Sequence, residues 1–469
     1  MEFLEKIINN LTGALWGPLM LTILVGGGLF LSIRIGFLQF RRFGYIWSQT
    51  VGSLFRRRSG EDVRKGTITP FQAVTAELGS TVGASNIIGV SVAIFFGGPG
   101  AIFWMWVTSF VGMATKFAEI VLSQLTREKN EQGEFVGGPM FYLKNALKSP
   151  FLANMFAFVF MLEIFFSIMV QSNSAAGSAR TLGIKPAFSG LVIMFFIGII
   201  VFGGVRRVGK VSEKFVPFMS GLYLLGCLII ILSHLSAVPG IFALIFKDAF
   251  TGKAALGGTA GGSVMLALRW GMARGLYSNE AGMGSAPIVH AAAITDHPVR
   301  QGFWGVISVF FDTVVIGTIT ALVLLVSGIW QRSGLEATAM PAQAFSEFYG
   351  AAGGVLVSLS LLLFVISTIY VIAFYGEKLA MYLFGYRFSM VMRGVYIAAC
   401  LIGAVGGLKV LWLFLDLLLA LVVIPNLIGV LGLSNRVAAS TREFFTKPEY
   451  FLHDRQVRKT KRSRGSGSR

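Results

Sequence analysis

Charge and cysteine are both scarce in this chain. Asp, Glu, Lys and Arg make up only 13% of its 469 residues, too few to give a soluble domain of that length a hydrated surface. The two cysteines, Cys227 and Cys400, each lie in an apolar run, which leaves a disulfide framework or a cysteine-built metal site without support. Four histidines, His234, His290, His297 and His453, match no HExxH or other metal-ligand spacing. A GxxxxGK[ST] phosphate loop is also missing, so neither a membrane enzyme nor an ATP-driven pump is expected. Acidic residues are few as well: 22 against 40 Lys and Arg, a formal net charge of +18. In so apolar a chain that excess reports orientation across a bilayer and not nucleic-acid binding.

What the chain has in abundance is apolar length. Hydrophobic residues make up 55% of it and the mean hydropathy is +0.73. A hydrocarbon layer about 30 Å thick needs roughly 20 apolar residues per helix. Such runs predict an all-α polytopic membrane protein with about eleven helices, near 16–33, 68–95, 99–126, 152–182, 187–205, 214–235, 260–295, 299–330, 353–384, 392–407 and 411–433. The first ten residues carry Glu2 and Glu5, unlike a cleavable signal, so the first helix is expected to stay. Basic residues, among them Arg41, Arg42, Arg56, Arg57, Arg58, Arg206 and Arg207, gather on alternate loops. They predict the N-terminus outside and the C-terminal tail, 436–469, in the cytoplasm. The closing RGSGSR reads as a vector-derived remnant or a disordered basic tail.

Two of these helices are interrupted by small and polar residues at mid-membrane depth: Gly79 to Asn86 (GSTVGASN) and Trp270 to Ser285 (WGMARGLYSNEAGMGS). Pro99 ahead of Phe103 and Trp104 is echoed by Pro298 ahead of Phe303 and Trp304. The pattern reads as a duplication: residues 1–66 form an added helix and basic loop, 67–236 a first five-helix unit, and 237–435 a second unit of opposite topology with a preceding extracellular segment. That is an inverted repeat. Unwound backbone survives in lipid only when protein, water or a ligand satisfies it, so each break must face a cavity. Half-helix N-termini then attract a carboxylate, and freed carbonyls can hold a sodium ion. The alternative is that the glycines merely let helices approach closely.

Along GSTVGASNIIGV from Gly79, GGPGAIFWMW from Gly97, GGPMFYL from Gly137, ARGLYSNEAGMGSAPIVHAAA from Ala273, FDT at Phe311, FYGEK at Phe374 and IPNL at Ile424, the chain resembles the alanine or glycine:cation symporters, within the leucine-transporter-like fold. The resemblance implies ten core helices plus the added first one, in a prokaryotic plasma membrane. It implies sodium-coupled import of alanine, glycine or a related amino acid, with sodium as the co-transported ion, no organic cofactor and no required oligomer. It places the substrate carboxylate at Gly83, Ala84 and Ser85, and substrate-lining roles at Gln171, Trp270 and Gly271. One sodium would use Thr81 and Asn86; a second would use Gly79, Val82, Ser367 and Thr368. Asp312, as a charge within a predicted helix, is a further candidate beside the first sodium, with interhelical pairing as the equal alternative. For Ser367 and Thr368 the competing reading is back-bonding within their own helix; for Gln171 it is an interhelical contact, and for Trp270 packing between helices. Two departures bear on substrate: TVGASN where the family usually reads TVGTGN, and IFFSIMVQ, with Phe165, Phe166 and Ile168, where it usually reads FGIGNMVQ.

Charges inside the predicted helices are further candidates: Glu77, Lys116, Glu119, Glu163, Arg269, Arg274, Glu280 and Asp312. Lys116 and Glu119 stand at i and i+3 and predict a local ion pair. Arg274 and Glu280 flank the second break and predict a gate or scaffold pair. Titration of Glu280 or Asp312 would make a proton the coupling ion, and another amino acid such as glutamine or serine is the alternative cargo. A channel is the remaining rival, because broken helices also build selectivity filters.

Overall fold

The computed structural model describes residues 11–12, 15, 18–55, 66–180, 183–251, 264–332, 334–406 and 409–452. The basic triplet Arg56 to Arg58, the beginnings of the first and seventh predicted helices, and the tail beyond 452 lie outside the described residues. Helices dominate: α1 Pro18–Arg34, α2 Pro70–Thr81, α3 Ser85–Gly97, α4 Ala101–Thr126, α5 Pro150–Arg180, α6 Pro186–Val201, α7 Gly204–Ser233, α8 Val264–Asn279, α9 Ala286–His290, α10 Pro298–Val326, α11 Ala351–Phe384, α12 Tyr386–Val405 and α13 Lys409–Gly432. Among the described residues seven helices are long and apolar enough to cross a membrane, and an eighth span results if α2 and α3, bent by 56°, are one. α1 and α6 are shorter apolar helices. Large apolar side chains such as Phe195, Phe218, Leu225 and Leu232 are exposed on α6 and α7, a surface that suits lipid.

Local chemistry sets the starts. Thr69 and Gln72 form a reciprocal capping box at α2, with Pro70 at the first helical position. Pro150, Pro186 and Pro298 open α5, α6 and α10 in the same way. α7 begins about ten residues before the expected 214. Its first turns carry Arg206, Arg207 and Lys210 on the exposed side while Val205 and Val208 are buried; hydropathy averaging reads such an amphipathic entry as a loop.

α4 packs on α8 and α10, while α5 packs on α11, α12 and α13. These contacts are close. A Cβ on Gly271 of α8 would stand 2.2 Å from the Ala101 carbonyl oxygen, and one on Gly403 of α12 would stand 2.4 Å from the Met169 carbonyl oxygen. Small residues let the backbones approach, as in membrane helix pairs generally.

The second interruption is narrower than expected. α8 runs unbroken through Trp270, Gly271, Arg274 and Gly275 to Asn279, because Gly271 and Gly275 face α4 at close approach instead of freeing the backbone. The break is confined to Glu280–Ser285, where Glu280, Gly282 and Gly284 have φ of 55°, 94° and 79°. Its second half, α9, is only five residues long. The chain then turns and joins the entry of α2 through a parallel bridge between Ile68 and Ala293.

Candidate functional site

The first break begins where α2 stops. Val82 N–H still donates to the Leu78 carbonyl (2.8 Å), but the Gly83 N–H turns away from the Gly79 carbonyl and donates to Asn86 Oδ1 (3.0 Å). Ser85 Oγ donates to the Thr81 carbonyl (3.3 Å). Helix resumes at Ser85, first with a widened π turn. Gly83 is required for proximity: a Cβ there would stand 2.8 Å from Thr368 Oγ1 on α11 and 4.0 Å from Gln171 Nε2 on α5.

Asn86 is fully buried and ties three elements together. Its Nδ2 donates to Asp312 Oδ1 (2.9 Å), the Asp312 carbonyl (3.1 Å) and Ser278 Oγ (3.2 Å). Ser278 near the end of α8 donates to Asp312 Oδ2 (2.8 Å), as does Thr313 Oγ1 (2.7 Å). Asp312 itself sits in a π-helical stretch of α10, Phe310–Gly317. The two interrupted helices thus meet around a buried carboxylate faced by the Asn86 N–H groups and by the Ser278 and Thr313 hydroxyls; its oxygens and those hydroxyls are hard donors of the kind that suit an alkali cation. Asp312 is the residue this arrangement moves from the margin to the centre.

Ser367 Oγ and Thr368 Oγ1 both donate to the Phe364 carbonyl (2.7 and 3.0 Å), and Thr368 also reaches the Ser80 carbonyl at 3.5 Å. A hydroxyl that donates within its own helix keeps lone pairs to accept a cation, so back-bonding and ion contact are compatible there. Gly79 packs against Val371 and Val216, and Val82 is buried in the apolar cluster it shares with Ile87 and Val216.

Beside the breaks lies a cavity of about 50 Å³. Of the residues singled out above, Thr81, Ser85, Glu163, Gln171, Thr368 and Glu280 line it. Ala84 is half-buried against the main core. Trp270 and Gly271 do not line it: the Trp270 ring stacks on Phe96 (4.6 Å between centroids) and carries the Arg274 guanidinium above it (5.3 Å), while Gly271 faces Ala101 and Trp104. Phe165, Phe166 and Ile168 also stay off the cavity; Phe166 stacks on Phe414 and Ile168 is fully buried. Instead α5 presents Glu163, Ser167 and Gln171, joined by Tyr277 and Ser285. Ser167, Tyr277 and Ser285 were missed from sequence, although the i, i+4, i+8 spacing of Glu163, Ser167 and Gln171 marks one helical face.

The charged residues pair differently from expectation. Lys116 Nζ bonds Glu77 Oε1 (2.7 Å), not Glu119. Glu77 also accepts from Ser308 Oγ (2.6 Å) and bonds His290 Nε2 (2.8 Å), whose Nδ1 meets Gln301 (2.7 Å). Glu119 accepts from Gly282 N–H (3.1 Å) and Asn426 Nδ2 (2.5 Å), bracing the second break. Glu280 bonds Ser285, and Arg274 lies over Trp270 within electrostatic reach of Asp416; Arg274 and Glu280 do not pair. Six positions apart they would not share a face even on a continuous helix, and α8 ends before Glu280, which stands at positive φ.

Comparison with known proteins joins this geometry to a family. Residues 1–458 match the sodium:alanine symporter family. The chain is 49% identical to the uncharacterized transporter YflA of Bacillus subtilis, over 98% of this chain and 97% of that one. It is 38% identical to the sodium/alanine symporter AgcS of Methanococcus maripaludis, over 95% and 98%, and 33% identical to the probable sodium/glutamine symporter GlnT of Bacillus subtilis, over 94% and 91%. Among solved structures, the manganese transporter of Eremococcus coleocola superposes with a TM-score of 0.51 at 12% identity, covering 81% of this chain and 80% of that one, a likeness of fold alone. With the helices long enough to cross a bilayer, these matches lead to one conclusion: the chain belongs to the sodium:alanine symporter family, as a multi-pass membrane transporter and not an enzyme.

Proposed function

We propose that this transporter carries a small neutral amino acid, alanine or glycine foremost, together with sodium, by alternating access in a prokaryotic plasma membrane. In this reading eleven spans run from an outside N-terminus to a cytoplasmic C-terminus, with an added first helix before two five-helix units of inverted topology. The observation that carries it is the meeting of both interrupted helices at Asn86, Ser278 and Asp312 beside a cavity lined by Thr81, Ser85 and Gln171. The solute carboxylate would take the N-terminal end of α3 at Gly83–Ser85. One sodium would lie with Thr81, Asn86 and Asp312, the second with Gly79, Val82, Ser367 and Thr368. Relatives named for sodium/alanine and sodium/glutamine symport support both the coupling ion and the cargo class.

The test is uptake of radiolabelled alanine by proteoliposomes with and without an inward sodium gradient. A sodium symporter accumulates alanine above the outside concentration only with the gradient, and a channel only equilibrates it. Proton coupling, which the buried Asp312 and the half-buried, cavity-lining Glu280 carboxyls would permit, predicts accumulation driven by a pH gradient without sodium. A relative named a putative sodium/proton-dependent alanine carrier makes that arm of the test worthwhile.

A further inference from the structure

The cavity has two polar ends on one helix. Glu163 and Gln171 are eight residues apart on α5 with Ser167 between them, so they are separated by about 12 Å along the axis. Side chains on one helix lean the same way, and their tips keep about that spacing. The Gln171 end adjoins the first break, its Nε2 close to Gly83 and its Oε1 buried without a hydrogen-bond partner. The Glu163 end is 3% exposed. Among the described residues its carboxyl has no hydrogen-bond or ion-pair partner, and the only charged group it senses is another acid, Glu280. Among the described residues no Lys, Arg or His lines the cavity. Lys116 is held by Glu77, His290 by Glu77 and Gln301, and Arg274 lies over Trp270.

A buried carboxylate facing a second acid is unfavourable, and either a proton or a cationic group brought by the solute relieves it. Alanine held at the Gly83–Gln171 end would leave the Glu163 end empty. Allowing one hydrogen bond of about 2.8 Å at each end leaves roughly 6 Å for the solute, a chain of about five bonds.

We propose that Glu163 is a specificity-determining residue that receives a cationic amine at the end of a solute's side chain, so that the cavity takes diamino acids whose two nitrogens are about five bonds apart, with the α-amino group on Gln171 Oε1. The proposal rests on the reading of this cavity as the amino-acid path, and it extends the cargo beyond short neutral solutes.

Ornithine has the required spacing, glutamine is its uncharged counterpart, and norleucine offers length without a donor. The first measurement is competition by each against labelled alanine in sodium-loaded assays. The second is the thermal shift each gives to the purified protein, for wild type, Glu163→Gln and Glu163→Ala, with monodisperse elution as the check on folding. Expected for wild type is an ornithine half-inhibitory concentration at least tenfold below that of norleucine, and below that of glutamine. Both variants are expected to lose the ornithine preference, and Glu163→Gln to bring ornithine and glutamine level. Ornithine binding no better than norleucine, or a preference unchanged in folded Glu163→Ala, overturns the proposal; glutamine surpassing ornithine in wild type overturns the cationic part of it. Absence of sodium-driven alanine uptake would refute the functional reading alone, since the thermal shifts still decide the role of Glu163.

Discussion

Replacing Glu77 with alanine isolates one of the most deeply buried charges in the protein. Glu77 is fully buried, and its carboxylate meets the Lys116 ammonium, the Ser308 hydroxyl and His290 Nε2. Ser308 keeps a bond to the Gly305 carbonyl after the change, so its loss is small. Lys116 is also fully buried, and among the described residues Glu77 alone accepts from its ammonium at bonding distance. Removing one member of a buried pair costs about 3–5 kcal/mol, and the orphaned His290 nitrogen adds about 1–3 kcal/mol. The Glu77→Ala, Lys116→Met double variant removes the stranded charge and retains only the histidine cost, so it should recover about 3 kcal/mol over the single variant. Unfolding of the purified protein in detergent, followed by circular dichroism, measures all three. If the double variant proves no more stable than Glu77→Ala, Lys116 was never stranded, and the pairing of Glu77 on α2 with Lys116 on α4 falls.

Asn86→Ala removes an amide placed against Asp312 and Gly83; if sodium binds there, its half-saturating concentration should rise about tenfold or more, from roughly 1.5–3 kcal/mol of charge-assisted bonding, and an unchanged sodium curve for alanine uptake would remove that ion site. Gly271→Ala pushes a methyl group into the Ala101 carbonyl and should destabilise by about 1–3 kcal/mol, whereas Gly221→Ala, with open space around its Cβ position, should be neutral or slightly stabilising; equal melting temperatures would contradict the close α4–α8 contact. Outside the membrane-spanning helices, His297 caps α10 by accepting from Val299 N–H (3.2 Å) and packs against Phe444 and Tyr450. Burial holds its pKa below the ordinary 6.5, against the opposing pull of Glu443 and Asp296. The unfolded chain therefore binds the extra proton first, and stability should fall as pH drops below about 6.5 towards the depressed value. His297→Asn should flatten that part of a melting-temperature profile, and an unaltered slope would refute it.

Apolar length made most helices readable in advance: Ala101–Thr126 against an expected 99–126, and Ala351–Phe384 against 353–384. The first break was readable because Gly79, Ser80, Gly83, Ser85 and Asn86 cluster where a lipid-facing helix would carry none of them. The second was misjudged in extent because a glycine used for helix contact and one used for a turn look alike in sequence; Gly271 does the first, Gly282 and Gly284 the second. Ion pairs were not readable. Lys116 finds Glu77, 39 positions away, in preference to Glu119 three positions away, because the packing of α4 on α2 decides which acid is within reach. The cavity face of α5 was less plain: Glu163, Ser167 and Gln171 share it at i, i+4 and i+8, but Ser172, Asn173 and Ser174 on other faces of the same helix blur that stripe.

The parallel bridge at Ile68 and Ala293 has a mechanical consequence. Thr67 N–H donates to the Ala292 carbonyl (2.7 Å) and Ile294 N–H to the Ile68 carbonyl (2.8 Å), while Gly66 lies flat against Ile294. These bonds rivet the entry of α2 to the exit of α9. Tilting that widens one mouth of the cavity must therefore swing both interrupted helices as a single lever, with compliance left to the joints at Val82–Ala84 and Glu280–Ser285.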